Sequence, residues 1–294
     1  MKLALNTSFA VKRWMKPEEL AAMIRDDFNM DIVQFSWDFI DPWWPEEYRT
    51  PMAEHFRRAF EEKGICIEST FGGNASYAFA CLMAPLKEQR EAGFLYLKRA
   101  IDLTRELGSF VMGAPVGSLD YEDARNPVRR EELYQEMLSY IRKLAEYGKE
   151  KGLKEIHIEA TPLMTEIPST PEESVKMMQD LEGSAIPVKL LVDWGHALFK
   201  PLLKEKADIK LWFNTCAPYI GSIHLQQTDG EWDRHWDFTK EGIVTPELIK
   251  EATHEAGLDD ISQYLEVVTI YEDDDDAVYE RMKKTMDYLH RELD

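Results

Sequence analysis

Two periods alternate along this chain of 294 residues. Short runs that are dense in apolar side chains, or alternate apolar with polar, predict strands over residues 3–9, 31–37, 66–71, 110–114, 155–160, 188–193, 220–226 and 263–268. Each is followed by a longer stretch of helical period. Helices are predicted over 16–28, 46–63, 85–107, 128–151 and 204–217. Two more are opened by caps at Thr170-Pro171-Glu172-Glu173 and Thr245-Pro246-Glu247, and a last one runs from the acidic run at Asp273 to Asp276 to about residue 292. Gly64, Gly108 and Gly152 stand where three of these helices must stop. The acidic run reads as the negatively charged first turn of the final helix, without a ligand role.

Eight strand-helix units without a long polar or Gly/Ser-rich linker predict one closed (β/α)8 TIM barrel spanning residues 1–294. The alternative is an open doubly wound sheet. Against it, no G-x-G-x-x-G follows the first strand and no G-x-x-x-x-G-K-[ST] occurs anywhere.

In such a barrel, reactive groups come from the C-terminal ends of several strands. Four consecutive apolar runs carry an ionisable residue at or near that end: Glu159, Asp193, His224 and Glu266, spaced by 34, 31 and 42 residues, one unit each. Singly, an acid at a strand end is a helix cap or turn former, and a lone His a hydrogen-bonded core residue. Together they put three carboxylates and an imidazole at one end of one axis, and like charges in a partly buried mouth require a cation. The oxygen-rich set with one nitrogen suits one divalent ion, Mn²⁺ before Mg²⁺ or Co²⁺, more than a structural zinc. His157, two residues before Glu159 on the same strand face, reads as a core histidine.

Composition narrows the classes. The formal net charge of −20, from 55 acidic and 35 basic residues, opposes nucleic acid and anionic membranes. Cys66, Cys81 and Cys216 form no C-x-x-C pair and read as small buried hydrophobes in a reducing compartment. The apolar N-terminal stretch is broken by Asn6, Thr7 and Ser8, so it reads as a strand rather than a signal peptide. No run approaches the roughly 18 apolar residues of a membrane span. A cytoplasmic protein is expected.

The ordered set, with Asp193-Trp194-Gly195-His196 as a D-x-x-H pattern, resembles the xylose-isomerase-like family of single-domain barrels over nearly the whole chain. That family contains ketose 3-epimerases, hydroxypyruvate isomerases, related sugar-phosphate isomerases and an endonuclease branch. The resemblance implies a divalent ion held by Glu159, Asp193, His224 and Glu266. It implies an isomerase or 3-epimerase of a small ketose or ketose phosphate, with proton transfer through an enediolate stabilised by the metal. Glu159 and Glu266 become the acid/base pair, and His196 a contact to substrate oxygens. A metal-dependent lyase, either a decarboxylase of a 3-oxo sugar acid or an inosose-type dehydratase, uses the same chemistry. A non-catalytic sugar-binding barrel is the bland alternative. The endonuclease branch has three zinc ions, additional histidines and a basic DNA groove, whereas the third strand here ends in Thr70-Phe71 and the net charge has the opposite sign.

Departures from the epimerase pattern locate further candidates. Those enzymes have a Glu and an Arg after the fifth strand; here only Glu166 approximates the former. In the polar loop after the seventh strand, Arg234 either forks an anionic group of the substrate or pairs with Asp229 or Asp233. Trp37, with Trp43, Trp44 and Phe71, either walls the pocket or packs the barrel. The implied partner is a small sugar or sugar derivative, for a chain free to assemble as a homo-oligomer.

Overall fold

The alternation of β-branched runs with amphipathic stretches leaves one economical closure. The strands pair with their sequence neighbours and the helices cover the outside. In the computed structural model, which describes residues 1–79 and 81–293, this is what forms; Ala80 and Asp294, inside the expected single domain, lie outside the described residues. The strands are β1 (Lys2–Asn6), β2 (Ile32–Ser36), β3 (Cys66–Phe71), β4 (Val111–Ala114), β5 (Glu155–Ala160), β6 (Val188–Asp193), β7 (Ile220–Leu225) and β8 (Ser262–Leu265). All neighbours are parallel, in sequence order, and β8 closes on β1. The principal helices are α1 (Pro17–Ala22), α2 (Glu46–Glu62), α3 (Lys87–Glu106), α4 (Pro127–Lys151), α5 (Pro171–Asp180), α6 (Ile209–Cys216), α7 (Pro246–Glu255) and α8 (Asp275–Leu293). Among the described residues no helix is long and apolar enough to cross a membrane.

Local chemistry sets the boundaries, including those that differ from expectation. Thr170 and Thr245 cap α5 and α7 through their side chains, with Pro in the first turn, and Gly152 ends α4 at φ 78°. The first strand stops at Asn6 instead of residue 9, because the Asn6 side chain accepts from Ser8 N at 2.8 Å and folds Thr7–Ala10 into a 3-10 turn. The first helix is α-helical only to Ala22 and then widens into a π-helical turn, Met23–Asp27. The sixth begins at Ile209, not residue 204, because Asp208 accepts from the backbone of Lys210 and Leu211. Of the acidic run, Asp273 and Asp275 are bound by Arg281 and Arg13, while Asp274 accepts from Ala277 N.

Apolar residues fill the layer between sheet and helices, but the barrel axis is polar. At the N-terminal end Glu68 binds Lys2 and the Tyr264 hydroxyl, while Glu155 binds Lys189 at 3.0 Å and His157 at 2.9 Å. One layer further, His157 Nδ1 meets Ser222 Oγ at 2.8 Å, so this histidine is a satisfied core residue. The C-terminal layer holds the ionisable set described below. Polar rungs of this kind align strand against strand, since a one-residue slip would turn each to the wrong face.

Glu155 gives a test of the lower rungs. Bonding to His157 and Lys189 outweighs burial and holds its carboxyl at about 2, down from the usual 4.5. A depressed carboxyl stabilises the fold above its unfolded value, and that contribution is lost as pH falls through the folded one. Glu155→Gln should therefore lower the urea midpoint at neutral pH, with the gap from wild type closing between about pH 4.5 and 2. A gap independent of pH would refute the assignment.

Candidate active site

Parallel closure brings the C-terminal ends of β5 to β8 side by side. Glu159 on β5, Asp193 on β6, His224 on β7 and Glu266, one residue past β8, offer ligand atoms that all lie within 4.8 Å of one another. Asp193 and His224 are register partners, and Glu266 N still donates to Leu225 O at 2.8 Å, which carries the pairing one residue beyond the strand. All four are buried.

His224 sits at the centre. Its Nδ1 lies 2.8 Å from Glu266 Oε2 and 3.1 Å from Glu159 Oε1, and its Nε2 lies 2.6 Å from Gln34 Oε1. Gln34 is oriented by its own partners: Asn6 Nδ2 donates to its Oε1 at 2.7 Å, and its Nε2 donates to Ser69 Oγ at 3.1 Å. The oxygen facing His224 is thus an acceptor, so Nε2 carries a proton and Nδ1 is the atom turned to the carboxylates. Phe71 closes the imidazole's flank edge-on, with ring centroids 4.5 Å apart. Burial disfavours charge on His224, but Glu266 and Glu159 outweigh it and raise its pKa to about 10. The two glutamates separate. Burial pushes Glu159 up, whereas for Glu266 the pull of His224 and His235 exceeds burial and holds it down.

Asp193 satisfies both of its sequence readings with different oxygens. Oδ1 accepts from His196 N at 2.9 Å, as a helix cap, and from Gln226 Nε2 at 2.8 Å. Oδ2 is buried and has no hydrogen-bond partner among the described residues. The glycine of the D-x-x-H pattern makes room for this arrangement, because a Cβ on Gly195 would lie 2.5 Å from the Gln226 amide. His196 donates Nδ1–H to Ala160 O at 2.9 Å and places Nε2 3.2 Å from Asp233 Oδ2.

Asp233 and His235 were not singled out from the sequence. Reciprocal backbone bonds between Gln227 and Trp236, at 3.0 and 3.1 Å, fold the loop after β7 back over the barrel mouth. His235 takes φ 45°, a left-handed backbone rarely used by residues other than glycine, and its Nδ1 lies 3.4 Å from Glu266 Oε2. Its Nε2 lies 3.1 Å from Asp233 Oδ1. His196, Asp233 and His235 form a second set that could hold a cation, again within 4.8 Å. The available signal was the D-x-H spacing of Asp233 and His235 inside a conspicuously polar loop.

A cavity of about 150 Å³ opens above the two sets, lined in part by Glu159, Glu266, His196, Asp233 and His235. Phe71 lines it, and Glu166 and Trp37 instead line an adjoining side cavity. Trp37 is 2% exposed and packs edge-on against Tyr96, so it is closer to a packing residue than to a stacking platform. Trp43 and Trp44 are each 39% exposed and line neither cavity. Of the two readings of Arg234 the geometry has the ion pair, and the residue is not among those lining either cavity. Its Nε and Nη2 both donate to Asp229 Oδ2, at 3.0 and 2.7 Å, and its guanidinium stacks over Trp236.

A parallel eight-stranded barrel with this acid-rich mouth defines the class. The chain belongs to the xylose isomerase-like TIM barrel family, whose family model matches residues 26–291. Its relatives include the D-erythrulose 1-phosphate 3-epimerase of Brucella abortus (strain 2308), 24% identical over 273 residues, which cover 91% of this chain and 88% of the relative. A protein of Rhodospirillum rubrum ATCC 11170, solved as a provisional xylose isomerase, is 43% identical with a TM-score of 0.97 over 99% of both chains. The D-psicose 3-epimerase of Clostridium cellulolyticum H10, solved with D-tagatose, shares the fold over 100% of both chains at 14% identity and a TM-score of 0.74. The family is one of enzymes, and sugar epimerases are prominent among these relatives.

Gly195→Ala tests the tie between the two sets. Its methyl would displace Gln226 from Asp193 and Asp233, at a cost of about 1–3 kcal/mol. A lowered urea midpoint is expected. An unchanged midpoint would mean that the Gln226 bridge does not hold the mouth together.

Proposed function

We propose that the protein is a divalent-metal-dependent isomerase or 3-epimerase of a small ketose or ketose phosphate. One observation carries this reading: Glu159 and Glu266 reach the same imidazole nitrogen and also line the cavity, whereas Asp193 and His224 do not line it. Two carboxyls thus have access to substrate, while the other two residues are closed off behind them.

The residues fit a metal. Three carboxylates and one imidazole are an oxygen-rich set, His224 turns Nδ1 inward because Gln34 accepts from Nε2, and Asp193 keeps a buried oxygen without a partner among the described residues. Glu159, Asp193, His224 and Glu266 would hold the ion, with Mn²⁺ the best match and Mg²⁺ or Co²⁺ alternatives. When bound, such an ion supplies positive charge where a substrate carbonyl gains negative charge.

The chain's own residues do the rest. Glu159 enters from β5 and Glu266 from beyond β8, with β6 and β7 between them, so they approach the cavity from different sides. One carboxylate takes the proton from the carbon beside the carbonyl, and the other carboxyl returns a proton to the opposite face. The reaction needs one of the pair charged and the other protonated. In the ion-free site burial pushes Glu159 up while the neighbouring imidazoles hold Glu266 down, so the two carboxyls are already unequal in their hold on a proton. His196 and Asp233 line the cavity beside them as a bonded pair, in which His196 fixes the Asp233 carboxylate as an acceptor for a sugar hydroxyl.

Incubation of metal-loaded protein with two-ketoses and their phosphates in deuterated water should exchange the proton beside the carbonyl. Glu159→Gln and Glu266→Gln should each lower epimerisation by about 10²–10⁴-fold while retaining most of the metal. Stable protons with every substrate would refute the proposal and turn attention to a lyase. Normal turnover in either variant would refute the role of that glutamate. Asp193→Asn should lose metal on dialysis against a chelator, read by metal analysis.

A further inference from the structure

The cavity wall away from the β5–β8 strand ends bears on what the rest of the substrate can be. Gly72, Gly73 and Asn74, just past β3, form part of it. Backbone N–H groups in such a glycine turn are natural donors to an oxyanion. Here three neighbouring N–H groups are taken by the protein itself: Gly72 N donates to Gly113 O at 3.1 Å, Asn74 N to Asp38 Oδ2 at 2.8 Å and Ala75 N to Asp38 Oδ1 at 3.1 Å. Asp38 can approach this closely because residue 73 is glycine; a Cβ there would lie 2.2 Å from Oδ2.

A second carboxylate lies beyond Tyr77 and Pro115, which line both the main cavity and the side cavity. Glu166, only 6% exposed, lines the side cavity and accepts from Tyr77 Oη at 3.4 Å. The side cavity holds about 20 Å³, enough for one group of water or hydroxymethyl size. Among the described residues, no Lys or Arg lines either cavity. The cationic side chains at the mouth, His196 and His235, are engaged by Asp233, and the nearby Arg234 is closed on Asp229.

We propose that this site selects an uncharged sugar over its phosphate ester, with Asp38 and Glu166 as the specificity-determining carboxylates. The inference rests on the proposed ketose chemistry and deepens it by naming the substrate class. A terminal hydroxyl can donate to Glu166 within the side cavity. A phosphoryl group is too large for that space and would set its negative charge against Glu166 and the wall backed by Asp38, with no Lys or Arg among the described residues that line either cavity. In this respect the chain parts from its Brucella relative, whose name specifies a phosphate ester.

The test is titration calorimetry of metal-loaded wild type with two-ketoses of four to six carbons and the 1-phosphate of each, at constant ionic strength. Proton exchange in deuterated water is followed in parallel. The neutral member of the best-binding pair should bind about 100-fold more tightly, and Glu166→Gln and Asp38→Asn should each narrow that ratio about 10-fold by strengthening the ester. An ester bound equally or more tightly by wild type, or a ratio that neither substitution moves, overturns the inference. Preferential binding of neutral ketoses without proton exchange leaves the selectivity standing and removes the proposed reaction. Exchange observed mainly with esters does the reverse, and binding of neither class removes both.

Discussion

Three carboxylates held at one buried strand layer repel one another unless positive charge is fixed among them, and much of the barrel mouth answers this constraint. Without an ion, the His224 imidazolium between Glu159 and Glu266 supplies that charge; with an ion bound, Nδ1 is a neutral ligand and the ion supplies it. The proton on Nε2 is anchored by Gln34, whose orientation depends on Asn6 and Ser69, so residues of β1, β2 and β3 help to hold an imidazole on β7. The electrostatic problem of one side of the barrel is solved from across its axis. The same set, with its unpartnered Asp193 oxygen, has the composition of a cation site.

The constraint extends into the loop above. Gln226 bonds both Asp193 and Asp233, and His235 lies between Asp233 and Glu266. The four-residue set and the His196, Asp233, His235 set therefore form one continuous network in which carboxylates alternate with imidazoles. Alternation of this kind lets a buried, highly charged layer exist without large net charge. It also makes the two glutamates unequal, since Glu266 touches two imidazoles and Glu159 chiefly one.

Much of this was legible in order along the chain. The eight strands and the helices between them follow from periodicity, caps and glycines, and the four central residues from their position at successive strand ends. Boundaries slipped where a side chain reaches back to its own backbone, as Asn6 does to end β1 and Asp208 to delay α6. Such local bonds carry no periodic signal. Arg234 was singled out for its fork of donors, but its neighbour Asp229 five residues earlier claims that fork, while Asp233 and His235 beside it turn inward.

By itself, then, the sequence determined the barrel, the strand ends that meet at its mouth and the residue types gathered there, because periodicity and one-unit spacing are properties of the chain. Only the tertiary structure decided which oxygen of Asp193 caps a helix and which is left free. It alone decided which nitrogen of His224 faces the glutamates and that Asp38 fills the glycine turn beside the cavity. These depend on contacts between residues far apart in the chain, where hydrogen-bond direction and the space left by a missing Cβ select among chemically equal alternatives.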